Sequence, residues 1–502
     1  MTPDQYTPED PISSIATALA PAALGIVRVS GKGCIELVSK VFSRPEALKS
    51  AAGNTLVYGW IQAPGGEDPE RSRRTESGET TVGDVSKIDE VMLAVYRAPK
   101  SFTGEDMVEI FCHGGPAVVT AIQNLMLKSG FRQANRGEYT FRAFINGKTD
   151  LTRAEAVKEI IDSHTDVSRS HAAGRLSGSL FTEIDSIKKL IIDTLAAIEV
   201  EIEYPEDEET IADSFDREDI ETAARRLQAL ADSWRGEKLY QDGARVVLAG
   251  RTNAGKSSLF NAILKEERAI VSDIEGTTRD WLESWASING IPVRLFDTAG
   301  LRETSDVIEA QGVEISRNLV HDADVVLYLV DSQNGLNDED RQFIENCKEP
   351  LIIVETKIDA SPVVECCETA YRDHNNKDVS ESGFDTASKE ACSTTASHTI
   401  CKISSKTGAG LSELFTAISS ILTAGLSTER TQAGLGSARQ KEAVSAALES
   451  VRHALISADD NYTLDAVVQD LEDALDSLGE VTGDVTPDDV LGSIFANFCV
   501  GK

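Results

Sequence analysis

At 502 residues the chain is too long for one hydrophobic core, and ordinary domain sizes divide it into roughly three domains. Its 83 acidic against 49 basic residues give a formal net charge of -34, which excludes an overall basic nucleic-acid footprint and confines any polyanion contact to a local or shared surface. Eight scattered cysteines without a CxxC pair, no basic-then-apolar leader and no apolar run of roughly twenty residues argue against a disulfide framework, secretion and a membrane span, so the expectation is a soluble cytoplasmic protein.

In chain order, residues 25–29 read as a strand in which Arg28 alternates with apolar neighbours, an exposed strand position on spacing alone. Residues 32–42 predict a short helix, 53–84 a weak strand and then a solvated loop, and 91–96 a second strand. The stretch SFTGEDMVEIFCHGG, residues 101–115, sets Glu105, Asp106, Glu109 and His113 around a strand at 107–112, ahead of a helix starting near Pro116. Four such groups admit a metal site. Alternation, however, spreads them over both faces of the strand, and no His/Cys ligand cluster accompanies them.

Residues 135–163 carry Arg136, Arg142 and Lys148 in a glycine-punctuated segment, either an anion pocket or a solvated turn, before a helix that Asp150 or Thr152 can cap. From 151 to about 240 the pattern is helical, with Ile187, Leu190, Ile191, Leu195 and Ile198 at helical spacing. Tyr204-Pro205 breaks it, and the acidic run 206–209 reads as a solvated linker.

Residues 245–263, RVVLAGRTNAGKSSLFNAI, run strand, glycine loop, helix at the spacing of a Walker A phosphate loop. A triphosphate needs backbone N–H groups at a helix N-terminus, a lysine as point charge and a hydroxyl for magnesium, roles that Lys256 and Ser257 fit. Then come GTTRD at 276–280 and a strand ending in DTAG at 297–300, whose Asp297 can reach magnesium through water and whose Gly300 lets the backbone meet the terminal phosphate. Buried-type strands at 324–330 and 350–355 follow. The second leads into TKID, where the Asp359 carboxylate suits the N1–H and amino group of guanine and Lys357 can lie along the ring. SSKTGAG at 404–410 can turn its backbone toward the base carbonyl, and strand-helix alternation from 243 to about 423 predicts a doubly wound sheet with ligands at the carboxyl ends of its strands.

Residues 364–398 hold clustered Cys, Asp, Asn and Ser, with His374 and His398, at irregular spacing; a solvated insertion is the plainer reading than a metal site. Helices are predicted at 439–455, 464–478 and from Pro487, with Thr486 as N-cap and Asp488 and Asp489 complementing the dipole. The closing Cys499-Val500-Gly501-Lys502 places a cysteine like a prenylation box, but Gly and Lys fit its last positions poorly.

Phosphate loop, GTTRD, DTAG, TKID and SSK in this order resemble a GTP-binding domain, and the whole chain resembles the tRNA modification GTPases of the MnmE (TrmE) family. SFTGEDMVEIFCHGGP, NRGEYTFRAFINGKTDLTRAEA, the GTPase between two helical stretches, LGEVTGDVTPDDVLGSIFANFCVGK and its CVGK end carry that resemblance nearly end to end. It implies a multidomain α/β protein: an α+β folate-binding and dimerisation domain at 1–150, a discontinuous helical domain at 151–242 and 429–502, and an inserted Ras-like doubly wound GTPase domain at 243–428. It further implies a homodimer that joins an FAD-dependent MnmG-type partner in a heterotetramer. That assembly adds aminomethyl or carboxymethylaminomethyl groups to carbon 5 of the wobble uridine of certain tRNAs, with the carbon drawn from a tetrahydrofolate (5-formyl- or 5,10-methylene-). By motif, Arg28, Glu109, Lys148 and Lys502 are expected to line the folate site.

For GTP, the resemblance implies contacts from Asn253, Ala254, Gly255, Lys256, Ser257, Ser258, Ser272, Asp273, Ile274, Glu275, Gly276, Thr277, Thr278, Asp297, Thr298, Ala299, Gly300, Thr356, Lys357, Asp359, Ser404, Ser405 and Lys406. Ser257 and Thr278 are expected to hold magnesium. Ras-like switches orient the attacking water with a glutamine just after DTAG, whereas Leu301 stands there and cannot polarise it. The family's substitute is potassium, held by Asn253 with carbonyls of Ser272, Ile274 and Thr277, while Glu309 orients water through a bridging water and Arg302 stabilises it. Cys499 is either a reactive thiol for uridine or flavin chemistry or a buried small side chain.

Three features depart from the family. Ala20-Pro21-Ala22-Ala23-Leu24 replaces a glycine-rich loop, Thr356 replaces the asparagine of the guanine motif, and residues 364–398 have no counterpart. The alternative is a ribosome-assembly or signalling GTPase acting as a nucleotide-switched binding module, which would not need Glu109, Lys148 or the CVGK end.

Overall fold

The computed structural model describes residues 10–63, 86–203, 215–266, 282–297, 319–360, 392–394, 399–426, 433–459, 464–499 and 501. They form two compact units, one of Met1–Lys158, Leu176–Ala224 and Glu442–Lys502, the other of Glu159–Arg175 and Arg225–Lys441.

The first unit contains a sheet of β1 (Ile12–Ile15), β2 (Ala22–Ser30), β3 (Thr55–Ala63), β4 (Ser86–Tyr96), β5 (Met107–Gly114) and β6 (Arg132–Gln133), in the order β3-β4-β5-β2-β1-β6. Period-two alternation sends Val27 and Val29 of β2 and Val108 and Ile110 of β5 into one core, while Arg28 and Glu109, partners across the β2–β5 ladder, share the other face. The helix Pro116–Lys128 packs on the core side. Gly25 is required there, because a Cβ at that position would lie 2.4 Å from Val119 Cγ2. The altered segment before the strand joins β2, whose ladder with β5 carries a bulge between Ala22 and Leu24.

The helix Leu151–Asp162 is capped by Asp150, whose carboxylate accepts from the Arg153 N–H at 3.0 Å. Helices Ser179–Glu203 and Leu464–Thr482 pack together, burying Ile187, Ile191 and Ile198 of one and Val467, Leu471 and Leu478 of the other. One expectation needs correction. Thr486 does not cap the helix Asp488–Ala496: Pro487 occupies the N-cap position, no side-chain cap bond is made, and the Thr486 hydroxyl is buried without a partner. That helix is held instead by Phe495, whose ring meets Phe141 edge-on with centroids 5.3 Å apart.

The second unit contains β7 (Ala244–Gly250), β8 (Leu282–Ile288), β9 (Ile291–Asp297), β10 (Val325–Asp331), β11 (Leu351–Thr356), β12 (Cys392–Thr394) and β13 (Thr399–Lys402). Their order is β12-β13-β11-β10-β7-β9-β8, with the interior strands parallel and the two edge strands antiparallel. Adjacent residues of β7 enter separate cores, Val246 and Leu248 one, Val247 and Ala249 the other, as a strand covered on both faces must. This is a doubly wound α/β sheet. Chain order reverses between β7 and its neighbours β9 and β10, which puts the ligand crevice beyond the carboxyl end of β7.

Candidate functional site

Beyond β7 the chain turns through residues 251–255 into the helix Lys256–Glu266. Asn253 (φ 62°) and Gly255 (φ 97°) are in the left-handed region, so the loop folds back and presents the helix N-terminus to the crevice. Lys256 is buried, its Nζ donating to the carbonyls of Gly250 at 2.8 Å and Arg251 at 2.7 Å. Ser257 donates to Asp297 at the end of β9 at 2.9 Å. A hydroxyl and a carboxylate thus meet beside the phosphate loop, a hard-oxygen set that fits magnesium.

The guanine loops close the other side. Thr356 Oγ1 donates to the Ala254 carbonyl at 2.7 Å, so a hydroxyl ties the end of β11 to the phosphate loop where the family's pattern has an amide. Lys357 (φ 61°) donates to the Asn253 carbonyl at 2.9 Å and to Asp331 at 2.7 Å. Burial pushes the Asp331 carboxyl up, but hydrogen bonds from Lys357 and the Gln333 N–H outweigh it and hold the group below the usual range. Asp359 is exposed and accepts from Ser404 at 2.8 Å. The Ser404 hydroxyl and a backbone N–H hold its carboxyl low, with the Lys406 charge adding to them. An ionised Asp359 is the state that pairs with two guanine donors.

Replacing Thr356 with valine keeps the shape and removes the donor, leaving the Ala254 carbonyl short of a partner at a cost of about 1–3 kcal/mol. The expected result is a several-fold weaker affinity for a fluorescent GDP analogue together with a lower Tm. Unchanged values of both would show that the brace contributes nothing.

Two residues that the sequence did not single out belong to this site. Asp331 anchors Lys357, and Arg251 ties the phosphate loop to the buried Asp340 at 2.9 Å. An aspartate closing a buried strand at the reversal of chain order was the readable signal for Asp331; nothing local marked Arg251. Ser272, Asp273, Ile274, Glu275, Gly276, Thr277, Thr278, Thr298, Ala299, Gly300, Leu301, Arg302, Glu309 and Lys502 lie outside the described residues, as does most of the 364–398 insertion.

A second polar centre lies in the first unit. Arg28 pairs with Glu109 at 2.7 Å, donates to the Gly501 carbonyl at 2.8 Å and lies over the rings of Phe102 and Tyr139. The segment carrying Gly501 therefore meets the β2–β5 face, while Lys148 is exposed and donates to the Pro99 carbonyl at 2.9 Å. Cys499 is exposed, which removes the buried-side-chain reading. The four polar groups around β5 go separate ways: Glu105 to Arg142, Asp106 to the Ala98 N–H, Glu109 to Arg28 and His113 to Asp89. Arg142 is neither in an anion pocket nor in a solvated turn, but buried between Glu105 and Glu138 at 3.0 Å from each.

A parallel sheet with a phosphate loop at its chain reversal, an aspartate at the end of the neighbouring strand and a guanine-type carboxylate opposite defines the class as a GTP-hydrolysing enzyme. The family model for the GTP-binding protein TrmE N-terminus matches residues 11–148, and that for the MnmE helical domain matches residues 151–499. The tRNA modification GTPase MnmE of Treponema denticola is 49% identical over 509 residues, covering 99% of each chain. Those of Treponema pallidum (41% over 520 residues, 100% of each chain) and Borrelia turicatae (38% over 497 residues, 98% of each chain) are also similar. The chain belongs to the tRNA modification GTPase MnmE family, and it is a GTP hydrolase acting in tRNA modification.

Proposed function

We propose that the chain is a potassium-dependent GTPase that works as a cytoplasmic homodimer with an FAD-dependent MnmG-type partner. Together they add an aminomethyl or carboxymethylaminomethyl group to carbon 5 of the wobble uridine of certain tRNAs. The domain division at 1–150, 151–242, 243–428 and 429–502 belongs to the same proposal. In the nucleotide site Lys256 supplies positive charge to the phosphates, Ser257 with Thr278 holds magnesium, and Asp359 selects guanine. Magnesium supplies charge neutralisation at the phosphates when bound. Leu301 offers no group to orient water; Asn253 with Ser272, Ile274 and Thr277 would hold potassium, which would supply the stabilising charge, and Glu309 and Arg302 would order the water.

The tetrahydrofolate part rests on one observation, the Arg28–Glu109 pair, with Arg28 over the rings of Phe102 and Tyr139 and Gly501 brought alongside. A nucleotide-switched binding module has no use for that centre. A carboxylate suits the donor edge of a pterin, and the cations Arg28, Lys148 and Lys502 suit a glutamate tail or formyl oxygen. Titration calorimetry with 5-formyl-tetrahydrofolate is expected to give saturable binding that Glu109→Ala weakens at least tenfold. No heat at millimolar ligand would reject the folate assignment.

A further inference from the structure

We propose that the stack of His164 on Trp285 is a positioning contact for GTP hydrolysis, holding the β8–β9 hairpin so that Asp297 stands at the phosphate end of the site. The inference rests on Asp297 acting beside the phosphates.

The hairpin reaches the site at both of its ends. β9 finishes at Asp297, which meets Ser257 at 2.9 Å, and its register sets Leu282, the first described residue after the GTTRD segment, directly opposite Asp297. A shift of the hairpin therefore moves the magnesium-side carboxylate and the start of β8 together. Among the described residues β8 is the edge of the sheet and pairs only with β9, and an edge needs covering to keep its register.

The cover comes from the segment 163–168 of the same compact unit. The His164 ring lies on Trp285 with centroids 3.9 Å apart and planes 25° apart. Arg294, the ladder partner of Trp285, sets its guanidinium 5.6 Å from the indole centroid. At the hairpin turn Gly290 (φ 84°) is so close to helix Asp166–Leu176 that a Cβ would lie 2.9 Å from Val167 Cγ2. The covering segment is itself fixed, since Thr165 and Ser168 exchange backbone and side-chain hydrogen bonds at 3.1 Å. Its position near the middle of the ladder lets the stack fix the hairpin without touching nucleotide.

The topology separates catalysis from affinity. Base contacts and those to the inner phosphates belong to the loops after β7, β11 and β13, whereas the hairpin ends at Asp297 on the magnesium side; Trp285 lies at the other end of β7, where a Cβ on Gly243 would stand 2.5 Å from its ring. GTP hydrolysis by the full chain should be measured beside the affinity for a fluorescent GDP analogue, with circular dichroism as the folding check. Trp285→Ala and His164→Ala are expected to lower kcat about tenfold and to leave nucleotide affinity within about threefold, while Trp285→Phe and His164→Phe, which keep a stacked ring, restore most of kcat. The inference is overturned if the folded alanine variants keep kcat within twofold of the unsubstituted chain, if affinity falls as much as kcat, or if the phenylalanine variants are no better than alanine. Where an alanine variant does not fold, its phenylalanine counterpart decides by the same twofold criterion applied against Trp285→Leu and His164→Leu. An Asp297→Ala variant with full activity overturns the assignment of Asp297 itself, separately from the stack.

Discussion

Asp359→Asn is expected to lower GTP affinity by about a hundredfold or more and to turn the preference toward xanthosine triphosphate. In the proposed site the carboxylate would accept from N1–H and the exocyclic amine of guanine, and an amide could satisfy only one of these while setting an N–H against the other. Asp359 is already held by Ser404 at 2.8 Å, so the substitution changes hydrogen-bond polarity at a group whose position is fixed. Competition between the two triphosphates in a hydrolysis assay reads the outcome directly. A variant that still prefers GTP by its original margin would move guanine recognition elsewhere, with Lys357 and the backbone around Ser404 as the remaining contacts.

Arg142→Met is expected to cost about 3–5 kcal/mol of stability in the first unit. Its guanidinium is fully buried and neutralises Glu105 and Glu138, each at 3.0 Å; without it Glu105 loses its ion-pair partner and Glu138 is left with Arg132. The pH dependence follows from Glu138. Burial raises its pKa, but the hydrogen bonds from Arg132 and the Asn135 N–H, with the charges of Arg142 and Arg132, outweigh burial and place it below the ordinary 4.5. Above 4.5 both the folded and unfolded carboxyl are ionised and the contribution is complete. As the pH falls through 4.5 toward the folded value, the unfolded chain binds its proton first and the stabilisation drains away. Denaturant titrations between neutral and acid pH should therefore show the variant losing less stability on acidification than the unsubstituted chain. Equal slopes would mean that Arg142 does not help set the ionisation of Glu138.

These two residues mark how far the sequence could be read. Asp359 was legible because the chemistry of its loop is local: a buried strand, then TKID, at a fixed distance from the phosphate loop. The continuous apolar runs of β7, β10 and β11 and the helix after Lys256 were legible for the same reason. Arg142 was not. Whether an arginine in a glycine-punctuated segment is solvated or buried depends on Glu105, a residue of another element, and no window along the chain contains both. Thr356 was legible only in part: the loss of the amide was plain from its identity, but that its hydroxyl reaches the Ala254 carbonyl depends on where the fold brings the two loops. The cap at Thr486 followed composition, whereas the N-cap position falls on Pro487, and the helix is anchored near its far end by Phe495 on Phe141. The stack of His164 on Trp285 joins residues that no motif connects.

In the proposed mechanism a monovalent cation held by Asn253 would do what Leu301 cannot. The measurement is the GTP hydrolysis rate of the full chain in potassium chloride against sodium chloride at equal ionic strength, for the unsubstituted protein and for Asn253→Ala. A rise of about tenfold or more in potassium that the alanine variant abolishes is the predicted result. Equal rates of the unsubstituted protein in the two salts would contradict it.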